Sequence, residues 1–146
     1  MDDDLIYFEN GPYNLAHREN IMKVHDVLEK NELYFYSYLV LFVDGPLNNI
    51  SLKDNVILNI AKLKELTFFK NDNVMDILDS LQSKGLLQYF EFVTGLLLIT
   101  INPYIHSVGE GVKADVYNVF ADSEYAFDLF ETGFELTDNN IFVLSE

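Results

Sequence analysis

The chain has 146 residues, 49% of them apolar and 14% aromatic, with a formal charge of −15, a pI near 4.3 and no cysteine. That length suits one ordinary domain whose core needs no covalent staple. The lack of cysteine excludes disulfides and thiolate metal sites, and the excess of acid disfavours anionic membranes and nonspecific nucleic-acid binding while favouring cationic partners.

Met1-Asp2-Asp3-Asp4 has none of the basic and apolar pattern of a secretory signal. Residues 1–13 read as an irregular arm punctuated by Gly11-Pro12. Asn20 is placed to cap a helix carrying Ile21, Val24 and Leu28, which Lys30-Asn31 would end. Residues 33–43 are apolar on every side. They are too few to cross a bilayer, so the expectation is a cytoplasmic protein with no membrane contact. Periodicity alone does not separate helix from strand there, but the stop at Asp44-Gly45-Pro46 and the helix expected next favour a buried helix. That second helix, about 52–66, has Val56, Ile57, Ile60 and Leu63 at helical spacing.

A short turn over 67–72 leads to a third helix, with Asn71 or Asp72 suited as N-cap. Val74, Ile77, Leu78 and Leu81 recur at i, i+3, i+4 and i+7 and form one buried stripe, which leaves Asp72, Asp76 and Asp79 on the open face. Gly85 ends the helix. Segments 88–94 and 96–101 then make a hairpin around Gly95, closed by Asn102-Pro103. A further helix over 112–130 would bring Val116, Phe120, Phe127 and Phe130 to one side. Segments 133–137 and 141–144 suggest a second, smaller hairpin around Asp138-Asn139-Asn140.

Few residues suggest catalysis. His17 and His25 can share a helix face, but a zinc site needs three or four convergent ligands, and His106 reads as a hydrogen-bonding loop residue. Gly109-Glu110-Gly111 lacks the lysine or hydroxyl that would complete a phosphate cradle and reads as a turn. Ser80, Ser83, Ser107 and Ser123 sit in no nucleophile setting, and no calcium-loop pattern occurs. A non-enzymatic protein without metal or cofactor is expected.

The order helix, helix, turn, helix, hairpin matches winged-helix regulators, and Leu81-Gln82-Ser83-Lys84-Gly85-Leu86-Leu87 resembles their closing element. Ile101-Asn102-Pro103-Tyr104-Ile105-His106, then Gly109, then residues 116–126 with Phe120, Ser123 and Tyr125, resemble the "asparagine-proline, small loop, phenylalanine, serine, aromatic" segment that follows the wing in RepL-like replication proteins of Gram-positive plasmids and phages. Residues 31–126 carry the likeness. It implies an α+β fold, a winged helix-turn-helix with a C-terminal helix and small hairpin extension, in a mobile-element protein that acts in DNA replication or transcription regulation, often as a homodimer. The expected organisation is an arm at 1–13, a winged-helix domain at 14–111 and an acidic extension at 112–146. The family's recognition-helix role would fall on Asn71, Asn73, Asp76, Ser80 and Ser83, and its wing on 92–96 with Thr94 near the tip.

The family's recognition helix is rich in Ser, Thr, Arg and Lys; here it is acidic. Between 71 and 112 the only cation is Lys84, whereas phosphate neutralisation by Lys and Arg supplies most DNA affinity. Lys53, Lys62, Lys64 and Lys70 could instead gather beside the turn to grip DNA. Three readings of the acidic face stand: a solvated surface; a guide for a basic partner formed by Asp72, Asp76 and Asp79; and nucleic-acid mimicry. In the last, Glu124, Asp128 and Glu131, at i, i+4 and i+7 of a helix, would imitate phosphates and dock on a basic host protein, with Asp72 and Asp79 as further mimic residues.

Overall fold

The computed structural model describes residues 5–8, 14–69 and 73–145. In chain order the elements are β1 (Leu5–Phe8), β2 (Asn14–His17), α1 (Arg18–Val27), α2 (Lys30–Leu39), β3 (Val43–Asp44), β4 (Asn49–Ile50), α3 (Ile60–Thr67), α4 (Val74–Ser83), β5 (Leu87–Glu91), β6 (Leu97–Ile101), β7 (His106–Val108), β8 (Val112–Lys113), α5 (Ala114–Val119), β9 (Phe134–Leu136) and β10 (Ile141–Leu144). Among the described residues this is a mixed α+β fold with five α-helices and three antiparallel sheets, ordered β1-β2-β7, β3-β4-β6-β5 and β8-β10-β9.

The stripe on α4 is buried as its spacing requires: Val74, Ile77, Leu78 and Leu81 all lie in the core. Gly85 ends the helix at φ +85°, where its N–H reaches the Gln82 carbonyl and the Leu86 N–H reaches back to Leu81. This paired closure needs a left-handed residue, which glycine adopts without a Cβ penalty. The chain then enters the β5–β6 hairpin, whose inward residues Leu87, Leu97, Ile99 and Ile101 alternate with outward ones.

Several elements differ from the sequence expectation, some for local and some for tertiary reasons. Residues 5–8 are not irregular but pair with β2, from Leu5 opposite His17 to Phe8 opposite Asn14; Gly11-Pro12 lies outside the described residues. α1 begins two residues before Asn20, because the His17 side chain takes the cap and accepts the Asn20 N–H. Lys30 and Asn31 do not end that helix; they start α2, nucleated by a capping box between Glu29 and Glu32.

The expected helix over 52–66 shrinks to α3. Asn59 caps it by accepting the Lys62 N–H at 2.8 Å, and upstream Asp54 and Asn55 take positive φ, which short polar side chains tolerate. Val56 and Ile57 are exposed there, and the extended Leu58 gives its carbonyl to Leu97 N–H. Ahead of that segment lie the strands β3 and β4, which alternation did not reveal in so short a stretch.

The expected helix over 112–130 survives only as α5. Val112 and Lys113 are instead a strand paired with Phe142 and Ile141, and after Phe120 the chain turns repeatedly to bury Tyr125 and Leu129. Phe130 is exposed, so it does not join the side formed by Val116 and Phe120. Residues from Leu15 to Phe142 nonetheless share one hydrophobic core.

Candidate macromolecule-binding surface

The exposed face of α4 is built by its own periodicity: with the aliphatic stripe inward, Asp76, Asp79 and Ser83 point outward at i, i+3 and i+7. Asn73 stands at the N-cap position, exposed, with no side-chain capping bond. Asn71 and Asp72 lie outside the described residues. Two side chains of α4 turn toward the edge strand β5. Gln82 Oε1 accepts the Tyr89 N–H at 3.0 Å, and the Asp79 carboxylate accepts the Tyr89 hydroxyl. That hydrogen bond, with some burial and the charges of Asp79 and Glu91, pushes the Tyr89 hydroxyl up to about 12. Asp79→Asn should bring the Tyr89 titration back toward the ordinary tyrosine range near 10, read by ultraviolet absorbance against pH; an unmoved high transition would separate the shift from this contact.

Ser80 does not serve the open face. It is half-buried and donates to the Glu32 carboxylate on α2, which also accepts the Lys84 ammonium at 2.6 Å and the Glu29 N–H at 3.0 Å. Burial pushes the Glu32 carboxyl up, but the bonds from Lys84, Ser80 and Glu29 outweigh it and hold the group below the usual carboxylate range. The one cation between 71 and 112 is therefore engaged with a buried acid. Ser83 donates to the Ser80 carbonyl at 2.9 Å and remains exposed.

The outward side of the hairpin is a separate surface, because Phe90 and Leu98 alternate with Tyr89, which faces α4. Thr94 is exposed at the turn, and the outward side chains Phe90, Phe92, Leu96 and Leu98 are apolar and solvent-facing, with Phe90 and Phe92 edge-to-face at 4.8 Å. Asp76, Asp79 and Glu91 are the acids of α4 and β5, and no lysine other than Lys84 accompanies them.

The lysines expected to gather near the turn are spread by helix geometry. Lys62 and Lys64 are about 200° apart around α3 and so do not share a face. Lys62 pairs with Glu65 at 3.3 Å, and Lys70 lies outside the described residues. The mimic row is likewise dismantled: Glu124, Asp128 and Glu131 lie in turns and irregular chain, not on one helix. The Glu124 carbonyl accepts Lys23 Nζ, and the Asp128 carboxylate accepts the Glu131 N–H at 3.1 Å. Helical phosphate spacing has no scaffold there.

Three buried asparagines, unmarked as a set in the sequence, tie separate segments of the chain together. Asn20 donates to the carbonyls of Tyr104 and Tyr125, both at 2.8 Å. Asn48 donates to Ile101 and His106 carbonyls and accepts the Val108 N–H. Asn102 donates to the Gly85 carbonyl at 2.8 Å and to Ser123 Oγ at 3.3 Å, and accepts the Tyr104 N–H. His17 is buried against Phe127, with ring centroids 4.4 Å apart, and His106 lies in β7 rather than a loop, where burial pushes its imidazole down to about 4.

Among the described residues no helix is long and apolar enough to cross a membrane, and no three metal-ligating side chains converge. Comparison with protein-family models, with curated proteins and with solved structures finds no match.

Proposed function

We propose that the chain is a non-enzymatic winged-helix protein of the RepL-like type, acting in the DNA replication or transcription regulation of a mobile element. The observation that carries this reading is the Asn102–Ser123 hydrogen bond. Two residues of the resembling segment, 21 apart in sequence, meet beside Gly85 where α4 ends, so the motif works as one clamp behind the helix and hairpin. The chain order α2, β4, α3, α4, β5, β6, with β4 hydrogen-bonded to β6, supports it further, since it is the order of a winged helix with its first strand laid against the wing.

A second reading is favoured by one specific observation: Glu32 holds Lys84, so the exposed face of α4 presents carboxylates without a compensating lysine. That surface fits a basic protein better than a duplex, and in this reading Asp76 and Asp79 on α4 replace the dispersed 124, 128 and 131 as the acidic contact.

A mobility shift against random duplex at low salt separates the two. The first reading expects a shift lost steeply as salt rises. The second expects no shift at micromolar protein, and capture of a basic protein that Asp76→Asn with Asp79→Asn abolishes.

A further inference from the structure

A helix apolar on all sides belongs inside a core, yet α2 is covered on one side only. Phe35, Tyr36 and Leu39 are buried, whereas Tyr34 is 59% exposed. Leu33, Tyr34 and Tyr38 of α2, with Leu41 in the 3-10 turn Val40–Phe42 that follows, wall an open groove of about 490 Å³. Lys30, the first residue of α2, and His25, in the last turn of α1, line the same groove where the two helices adjoin. Among the described residues no aspartate or glutamate lines it. The two acids nearest Lys30 on α2 are occupied elsewhere: the Glu29 carboxylate accepts the Glu32 N–H, and Glu32 lies about 200° around the helix from Lys30, buried against Ser80 and Lys84. Lys23, Lys62 and Lys84 each donate to an oxygen of the chain, whereas among the described residues Lys30 meets none.

We propose that this groove binds a small apolar anion, a free medium-chain carboxylate, with its head group on Lys30 and its alkyl chain laid along Tyr34, Tyr38 and Leu41. Charge complementarity selects the sign. A chain of charge −15 repels anions over most of its surface, and a groove with two nitrogen-bearing side chains and no carboxylate is where that repulsion is locally reversed. Size selects a small molecule: the volume falls within the few hundred Å³ usual for such sites, which combine apolar and aromatic walls with a few polar groups that fix orientation. The polar groups here stand together at one end, which suits a ligand with one charged head and an apolar tail. Lys30 and Tyr38 are eight residues apart on α2, about 12 Å at helical rise, so the head and tail positions are separated by the length of an extended alkyl chain rather than by that of a compact ring. The outward side of the β5–β6 hairpin, with Phe90 and Phe92, is also apolar but has no cation among its outward residues to hold such a head group. This inference rests on α2 and its flanks and stands apart from the nucleic-acid reading.

The test titrates the full chain with decanoate, followed by calorimetry and by amide chemical shifts. Saturable binding is expected with a Kd on the order of 1 mM or tighter, with shifts at His25 and residues 30–41 and none in the β5–β6 hairpin. Each CH₂ added from octanoate to decanoate should tighten binding about two- to fourfold. Decanol should bind roughly fivefold more weakly than decanoate, and Lys30→Gln should remove that difference by weakening decanoate alone. Tyr34→Asp should abolish binding with unchanged far-ultraviolet circular dichroism, and Lys113→Gln, an exposed cation outside the groove, should leave it unchanged. No saturation by about 10 mM decanoate, shifts concentrated on the hairpin, or decanol bound as tightly as decanoate overturns the proposal. So does a different occupant, seen as a concentration-dependent dimer that decanoate fails to dissociate or as binding to phosphatidylcholine vesicles through residues 30–41.

Discussion

Asn48→Ala is expected to cost the fold about 3–5 kcal/mol, a large share of the roughly 5–15 kcal/mol that stabilises an ordinary domain. Asn48 is fully buried between two sheets, and its one amide makes three bonds: to the Ile101 carbonyl at 2.9 Å, to the His106 carbonyl at 2.8 Å and from the Val108 N–H at 3.2 Å. Its own backbone carbonyl accepts the Ile101 N–H at 3.0 Å. Truncation leaves two carbonyls and one N–H buried without partners, and alanine must still adopt φ +55°, which asparagine tolerates better. Asn48→Gly relieves the backbone cost while still removing the amide, so it should be less damaging than alanine. Urea midpoints of the three proteins measure this. Equal stability of Asn48→Ala and wild type would mean that the β6–β7 connection does not depend on this side chain.

The second large effect is acid sensitivity through His106. Burial lowers its folded pKa to about 4 from an ordinary 6.5. The unfolded chain therefore takes up the proton first, and stability is intact above pH 6.5, falls as pH drops toward 4 and levels off below. The loss from this residue is on the order of 3 kcal/mol, from 1.36 kcal/mol per pKa unit. Glu32 acts in a lower window: its folded pKa is depressed, so its contribution is present above the ordinary carboxylate pKa of 4.5 and is lost as pH falls through the folded value. Relief of repulsion among the many surface acids opposes both and is common to every variant, so the informative quantity is the difference between proteins. His106→Gln should flatten the pH 6.5 to 4 decline in urea midpoint, whereas Glu32→Gln should leave that decline and remove only the lower one. An undiminished decline in His106→Gln would assign the acid response to other groups.

How far the candidate surface was readable depends on how local its causes are. Asp76 and Asp79 were legible because a single amphipathic period, Val74 to Leu81, settles which side of α4 faces out. Thr94 was legible because Gly95 and the flanking aromatic and β-branched residues mark a hairpin tip. Ser80 was not: on the period alone it borders the open face, and only the arrival of Glu32 from α2, 48 residues earlier, draws it inward. Lys84 reads as a surface cation in sequence and is an ion-pair partner in the fold for the same reason. The row 124, 128, 131 had helical spacing, but helical spacing places side chains on one face only where a helix forms. Burial of Tyr125, with its carbonyl taken by Asn20, excludes that helix.

By itself the sequence determined the α4 stripe, its glycine closure, the β5–β6 hairpin, the small β9–β10 hairpin and the acidic character of the exposed helix face. Each of these depends on contacts within about a dozen residues, where side-chain period and turn chemistry act directly. Tertiary structure alone decided the strands β1, β3 and β4, the shortening of the helices at 60 and 119, the three asparagine clamps, and which side of α2 stays uncovered. β1 and β3 pair with strands close by in sequence but are too short for alternation to mark them, and the Asn20 and Asn48 clamps depend on partners 53 to 105 residues away, such as Tyr125 and Ile101. Burial against distant elements outweighs propensities of a few tenths of a kcal/mol per residue.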